Sequence, residues 1–350
     1  MKKLVAQFAL LLLPALAFAQ KDAPQLKDFG KKILQITNSV QFNDHAYAVL
    51  MATDEENSEL VAVGDKMKEL WRTPLQGEAY HVGRFKGNLL AYTVATHGKQ
   101  ETFTGYLIDP DAGKILLQKV VYDCKNDYQD QVLAIFTDDG AVARLVLRES
   151  GIPKTGFFPG NNFSATKDLT IVDVDDKLNG AVSKPAIPDG DFISLTSNQR
   201  GDVFILTSQK DKTVTLTNYD AGKGGTTTSI VQDIDSRKQS GTSGAIVAAS
   251  HTANNIAYLA LIQENRNKNR VLTLCKFDYG THTAQVISVP FDKAHLKSLA
   301  KNFVPLYKKM PKPEMDEAGI FAVTHLEEYN DYLLVSVSSQ YEGGYQLGNP

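Results

Sequence analysis

The chain has 350 residues, 43% of them hydrophobic and 22% charged, with a formal net charge of -3 and two cysteines. This is the composition of a folded globular protein, and the length alone allows about two domains. A mildly acidic chain without a basic run has no electrostatic footprint for nucleic acid or anionic lipid, and two cysteines cannot form a disulfide framework.

At the start of the chain, Lys2 and Lys3 precede an apolar stretch from Leu4 to Phe18, and Ala17-Phe18-Ala19 fits the small-residue rule for cleavage before Gln20. Residues 1–19 therefore read as a signal peptide. The stretch is short for a bilayer span and is interrupted by Pro14, so no membrane-spanning helix is expected. No cysteine follows the cut, which argues against a lipid anchor. Removal of the two lysines leaves a mature chain of about -5, exported to the periplasm or beyond the cell. Residues 20–32 are a lead-in, and 33–350 carry the main domain.

From residue 33 a unit of four apolar runs recurs five times, with an Asp-rich turn between the third and fourth runs. The first unit places strands at 33–40, 45–53, 59–63 and 69–74, with the turn Gly64-Asp65-Lys66. In the second, strands at 78–85, 88–96, 102–108 and 114–121 surround Asp109-Pro110-Asp111-Ala112-Gly113. The third has 131–137, 141–148 and 169–174, then Asp175-Asp176-Lys177 and a weaker run near Ala181. The fourth has 192–196, 203–208, 214–218 and 226–231 around Asp220-Ala221-Gly222. The fifth has 245–249, 256–262, 271–277 and 284–289 around Asp278-Tyr279-Gly280. A sixth unit opens at Gly319 and supplies only 320–324 and 332–338.

A period of roughly 45 to 65 residues is that of a propeller blade with variable loops. The second runs are nearly continuous in apolar residues, as in Ile256-Ala257-Tyr258-Leu259-Ala260-Leu261-Ile262, which suits a strand covered on both faces. The fourth runs carry more Lys, Gln and Thr, as outer strands should. The expected fold is all-β, a β-propeller of about six four-stranded blades with the last incomplete. A two-sheet sandwich would not bring its strands in repeated fours with one recurring turn.

Two insertions break the period. Residues 149–168 place Phe157 and Phe158 in a run rich in Gly and Pro. Residues 291–317 hold the one convincing helical pattern, capped by Asp292, with Leu296, Leu299, Ala300 and Phe303 on one face and Pro305 at its end.

No residue set reaches the strength of a catalytic signature. Ser243 in Gly241-Thr242-Ser243-Gly244-Ala245 lacks the glycine two residues on that a nucleophile elbow needs, and it opens a strand rather than a helix. The seven histidines form no short pair. His81, His251 and His325 each fall on or just after a first strand, and three imidazoles converging there would suit a metal, but their offsets differ. Asp109 and Asp111, and Asp173, Asp175 and Asp176, lack the full ligand set of a calcium loop and are expected to bond their own turns. No metal ligand set is assigned. A glycosidase needs two carboxylates at a defined separation across a cleft, and no pair is singled out. Cys124 and Cys275 fall on different repeats and are expected as thiols. Two adjacent aromatics are hard to bury on both sides, so Phe157 and Phe158 are the candidate partner-binding residues.

The segment Gly105-Tyr106-Leu107-Ile108-Asp109-Pro110-Asp111-Ala112-Gly113-Lys114-Ile115-Leu116 resembles the quinoprotein-type (PQQ-like) propeller repeat, in which a strand ends in Asp and leaves its turn by Gly-Lys. Leu70-Trp71-Arg72-Thr73-Pro74-Leu75 resembles the fourth strand of that repeat, and Asp220-Ala221-Gly222-Lys223 matches in part. The resemblance implies a propeller fold. It implies no quinone cofactor here, because Trp71 is the only tryptophan and the chain has no Cys-Cys pair. No cofactor is expected. The reading that follows is an exported β-propeller that binds a protein, peptide or glycan ligand through its loops; the alternative is a propeller hydrolase or lyase acting on polysaccharide.

Overall fold

A computed structural model of the chain describes residues 35–125, 129–150, 166–186, 190–209, 213–221, 225–234, 245–264, 270–290, 320–329 and 332–340. The signal peptide and lead-in, the Phe157-Phe158 insertion, Ser243 and the expected helix after residue 291 lie outside these residues. Apart from one 3-10 turn at Asp65–Met67, the secondary structure among the described residues is strand.

The strands form five four-stranded antiparallel sheets and one two-stranded sheet, each ordered as the chain runs. The fold is an all-β β-propeller, with a sixth blade of two strands among the described residues. Blade 1 comprises β1 (Gln35–Asn43), β2 (Ala46–Ala52), β3 (Asn57–Val63) and β4 (Glu69–Gln76). Blade 2 comprises β5 (Glu78–Phe85), β6 (Asn88–His97), β7 (Gln100–Ile108) and β8 (Ile115–Lys125). Blade 3 comprises β9 (Gln129–Phe136), β10 (Ala143–Ser150), β11 (Thr166–Val174) and β12 (Gly180–Ser183). Blade 4 comprises β13 (Asp191–Ser197), β14 (Val203–Ser208), β15 (Val214–Asp220) and β16 (Thr226–Gln232). Blade 5 comprises β17 (Ile246–Ala249), β18 (Ile256–Glu264), β19 (Arg270–Asp278) and β20 (Thr283–Pro290), and the terminal hairpin is β21 (Ile320–Tyr329) with β22 (Tyr332–Gln340).

The continuous apolarity of the second strands has a direct cause. Side chains alternate between the two faces of a strand, and here each face meets a different neighbour. On β14, Val203 and Ile205 pack, with Phe192 of the same blade, towards Val146 and Ile171 of blade 3, whereas Phe204 and Leu206 pack towards blade 5 with Leu259 and Phe277. On β18, Ala257, Leu259 and Leu261 join the blade 4 side, while Ala260 and Ile262 join Val323 and Leu326 of the terminal hairpin. Every position of β14 and β15 is buried; β20, at the outer edge, is exposed at nearly every position.

The hairpin runs further than its apolar pattern suggested, to Tyr329 on one strand and Gln340 on the other. Glu327 and Glu328 lie beyond the strand expected at 320–324; in the fold they continue it and pair with Leu334 and Leu333 of β22. The first strand likewise continues to Asn43, where Asn43 Oδ1 accepts the His45 N–H at 2.9 Å and closes a tight turn.

The chain divides into two compact units, one formed by Met1–Ala95 with Thr102–Val121 and the other by Thr96–Glu101 with Tyr122–Pro350. In the first unit, blade 1 docks on blade 2 through Trp71. Its indole Nε1 donates to the Pro110 carbonyl at 2.9 Å, and its ring lies against Gly113. Gly113 has a φ of +67°, and a Cβ there would stand 2.6 Å from the ring, so conformation and space both require glycine. The Thr73 hydroxyl donates to the Gly113 carbonyl, and Asn38 exchanges two bonds with the backbone of Val82, both at 2.9 Å.

In the second unit, arginines take the corresponding role. Arg148 is fully buried, donates through Nε to the Thr166 hydroxyl at 2.8 Å and stacks its guanidinium 3.8 Å above the Phe192 ring of blade 4. Arg144 pairs with Asp173 at 2.6 Å, donates to the Gly201 carbonyl and lies over the Tyr219 ring. Between blades 4 and 5, the Tyr279 hydroxyl donates to the Leu216 carbonyl at 2.8 Å, and Asn198 Nδ2 donates to the Asn254 carbonyl at 3.1 Å.

Candidate functional site

In an antiparallel meander the turns between first and second strands and between third and fourth strands share one end of the sheet; the other turn and the inter-blade links share the opposite end. The first end is closed by short clamped turns. Asp109 Oδ1 accepts the N–H groups of Asp111 and Ala112 at 2.9 and 3.1 Å. Asp175 Oδ1 accepts those of Lys177 and Asn179 at 2.9 and 2.7 Å, and Asp278 Oδ1 accepts that of Gly280 at 2.8 Å. The Gly280 N–H holds the Asp278 carboxyl below the usual carboxylate range. These aspartates do the turn work expected of them, and Asp173 faces Arg144.

The opposite end differs between the units. In blades 1 and 2 it is short: residues 53–56, 77 and 98–99 make the connections. In the later blades, residues 151–165, 184–190, 209–213, 233–245, 265–269 and 291–319 do so, and Phe157 and Phe158 belong to the first of these, outside the described residues.

The three histidines singled out in the sequence do not act together. His81 is on β5, and burial pushes its pKa down; His325 is exposed on β21, with Nε2 2.9 Å from Glu327 Oε2. His251 follows β17 and contributes its backbone N–H to Glu328 Oε2 at 2.8 Å. Among the described residues no group of three His, Cys, Asp or Glu is arranged to hold a metal ion. Cys124 and Cys275 are both thiols, the second buried, and burial pushes it up to about 12.

A dense polar cluster that sequence reasoning missed surrounds Glu328. Its Oε2 accepts from the Ser250 hydroxyl at 2.6 Å, the His251 N–H at 2.8 Å and the Thr252 N–H at 3.3 Å. Its Oε1 accepts from the Tyr258 hydroxyl at 2.8 Å and the Thr252 hydroxyl at 3.2 Å. Burial raises the Glu328 pKa, but the bonds from Ser250, Tyr258 and the Thr252 and His251 N–H groups outweigh it, and the carboxyl lies below its ordinary range. Burial, then the bond to Glu328, pushes Tyr258 up to about 12. Serine, histidine and glutamate meet here without forming a nucleophilic relay, because Ser250 bonds the carboxylate directly and the His251 contribution is from its backbone. The partners lie 70 to 78 residues apart in the chain, beyond the reach of any short motif.

No family model and no curated protein matches the chain. Solved structures share its backbone course at low likeness. Hydrazine synthase of Kuenenia stuttgartiensis is 11% identical with a TM-score of 0.38, over 70% of this chain and 68% of that one. TolB from Acinetobacter baumannii is 11% identical with a TM-score of 0.37, over 74% of this chain and 55% of TolB. The WD40 domain of SCAP from fission yeast is 7% identical with a TM-score of 0.31, over 70% and 74% of the two chains. Among the described residues no helix is long and apolar enough to cross a membrane.

Proposed function

We propose that the protein is an exported β-propeller that acts as a binding scaffold, with its ligand, a protein, peptide or glycan, held by the long links of the second unit. The observation that supports this reading is the contrast between sheet ends. Clamped Asp turns close one end of the blades, whereas the other end of the second unit spans 15 residues between Ser150 and Thr166 and 29 between Pro290 and Ile320. Long connections on a packed scaffold are where binding residues concentrate. Phe157 and Phe158 are the proposed anchors, since aromatic side chains presented on a loop supply large contact area at low entropic cost. Export rests on Lys2, Lys3, the apolar run and Ala17-Phe18-Ala19.

The test pairs two measurements. N-terminal sequencing of the mature protein is expected to return Gln20. The wild type and a Phe157→Ser/Phe158→Ser variant, immobilised and exposed to the organism's own extracytoplasmic proteins and to a panel of polysaccharides, are expected to differ in capture while their melting temperatures agree. Equal capture by both would remove the anchor assignment. Release of new reducing ends or unsaturated sugars from the panel would replace the scaffold with the hydrolase or lyase.

A further inference from the structure

The turns between first and second strands share one problem: backbone N–H groups inside a tight turn need an acceptor. Blades 1, 3 and 4 meet it from within. Asn43 Oδ1 serves His45 in blade 1; Asp139 Oδ1 takes the Ala141 N–H at 2.9 Å and the Thr137 hydroxyl at 2.6 Å in blade 3. In blade 4, Asn198 Oδ1 takes the N–H groups of Arg200 and Asp202 at 3.0 and 2.9 Å.

Blade 5 has no such group. Its acceptor is the Ser250 hydroxyl, which takes the N–H groups of Thr252 and Ala253 at 3.1 and 3.0 Å. A hydroxyl that accepts there still has its own proton to donate. The turn is left with a surplus of donors: the Ser250 and Thr252 hydroxyls, the His251 N–H and, from β18, the Tyr258 hydroxyl. All of them converge on the two oxygens of one carboxylate, and that carboxylate arrives from a different sheet. Donors fixed by a turn and aimed at one point form an anion site whether or not the chain fills it.

We propose that the first turn of blade 5 is a carboxylate-binding site, occupied from within by Glu328, so that the terminal hairpin is seated as an internal ligand and a carboxylate from another molecule fits the same place. The shared chemistry is a carboxylate on a short stem, as borne by an acidic side chain or a uronic acid. Three of the donors are hydroxyls that can turn with the ligand, while the His251 and Thr252 N–H groups, both aimed at Oε2, are fixed and bind only an acceptor. The site therefore favours the ionised form, which accepts from every donor at once and is the stronger acceptor, over an amide or alcohol of similar shape.

The experiment empties the site and refills it. The full chain carrying Glu328→Ala is melted at pH 7 in sodium chloride, sodium acetate, sodium glucuronate and sodium N-acetylglutamate amide at equal ionic strength. Acetate is expected to raise the melting temperature of the variant by about 2–4 °C, saturably, and to leave the wild type unmoved. Whichever of glucuronate or capped glutamate reaches the same effect at lower concentration identifies the source of the natural carboxylate. Adding Tyr258→Phe to the variant should reduce the rescue. If Glu328→Ala does not fold, Glu328→Ser, which also removes the carboxylate, is expected to show the same acetate-specific shift. No carboxylate-specific shift in a folded variant, or an equal shift in variant and wild type, overturns the proposal.

Discussion

The junction of blades 1 and 2 and the junction of blade 5 with the terminal hairpin do the same mechanical job by different physics. At the first, the Trp71 ring lies on Gly113 and its indole N–H reaches Pro110. At the second, an apolar layer of Val323, Leu326, Leu333, Val335 and Val337 is topped by the Glu328 carboxylate and its donors. Ring packing is insensitive to pH and salt. A carboxylate among donors holds only while ionised. The two junctions should therefore separate under mutation and acid.

The largest effect is expected at the aromatic junction. Gly113→Ala forces a side chain into a left-handed conformation and into the Trp71 ring, which should cost about 2–5 kcal/mol in urea unfolding. In a Trp71→Leu background the ring is gone and only the backbone part, about 1–2 kcal/mol, should remain. A cost unchanged by the loss of the ring would show that packing plays no part. Next, Trp71→Phe keeps an aromatic ring but removes the bond to Pro110, for an expected loss of about 1 kcal/mol in the same assay.

The carboxylate junction should respond to pH. Glu328 has a lowered pKa in the folded state, so its stabilisation is present above the ordinary glutamate value and lost as pH falls through the lowered one. Amide exchange from Tyr332–Gln340, corrected for intrinsic rates, should accelerate on that acid descent in the wild type. Glu328→Gln should show fast exchange throughout and no such dependence. The smallest effect is expected at Cys275, which packs on the blade 4 side of blade 5. Its labelling by a thiol reagent should be equally slow in Glu328→Gln and wild type, and an accelerated rate would mean that the hairpin governs the whole blade.

These two junctions also show what was legible in the sequence. The blades could be read because their signal is local: alternating or continuous apolar runs, and an Asp whose partners lie two to four residues on, as at Asp109 and Asp175. The docking contacts are not local. Trp71 reaches Pro110 across 39 residues, and Glu328 reaches Ser250 across 78. Glu328 lies beyond the strand read at 320–324, and nothing nearby announces the donors that hold it. The histidines offered no comparable signal, since His81, His251 and His325 sit at different offsets in their repeats and serve unrelated contacts.

Arg148 sets an order of assembly. Its guanidinium keeps its charge at any pH a protein meets, and the ring that covers it, Phe192, lies in the next blade. While the chain is being synthesised, blade 3 can pair its strands and Arg148 can reach Thr166, but the ring that covers the guanidinium is missing until residue 192 has emerged. Gly201, the carbonyl acceptor of Arg144, is delayed further still, by 57 residues. Blade 3 is thus finished by its successor, and growth at the ribosome runs one blade ahead of its completion.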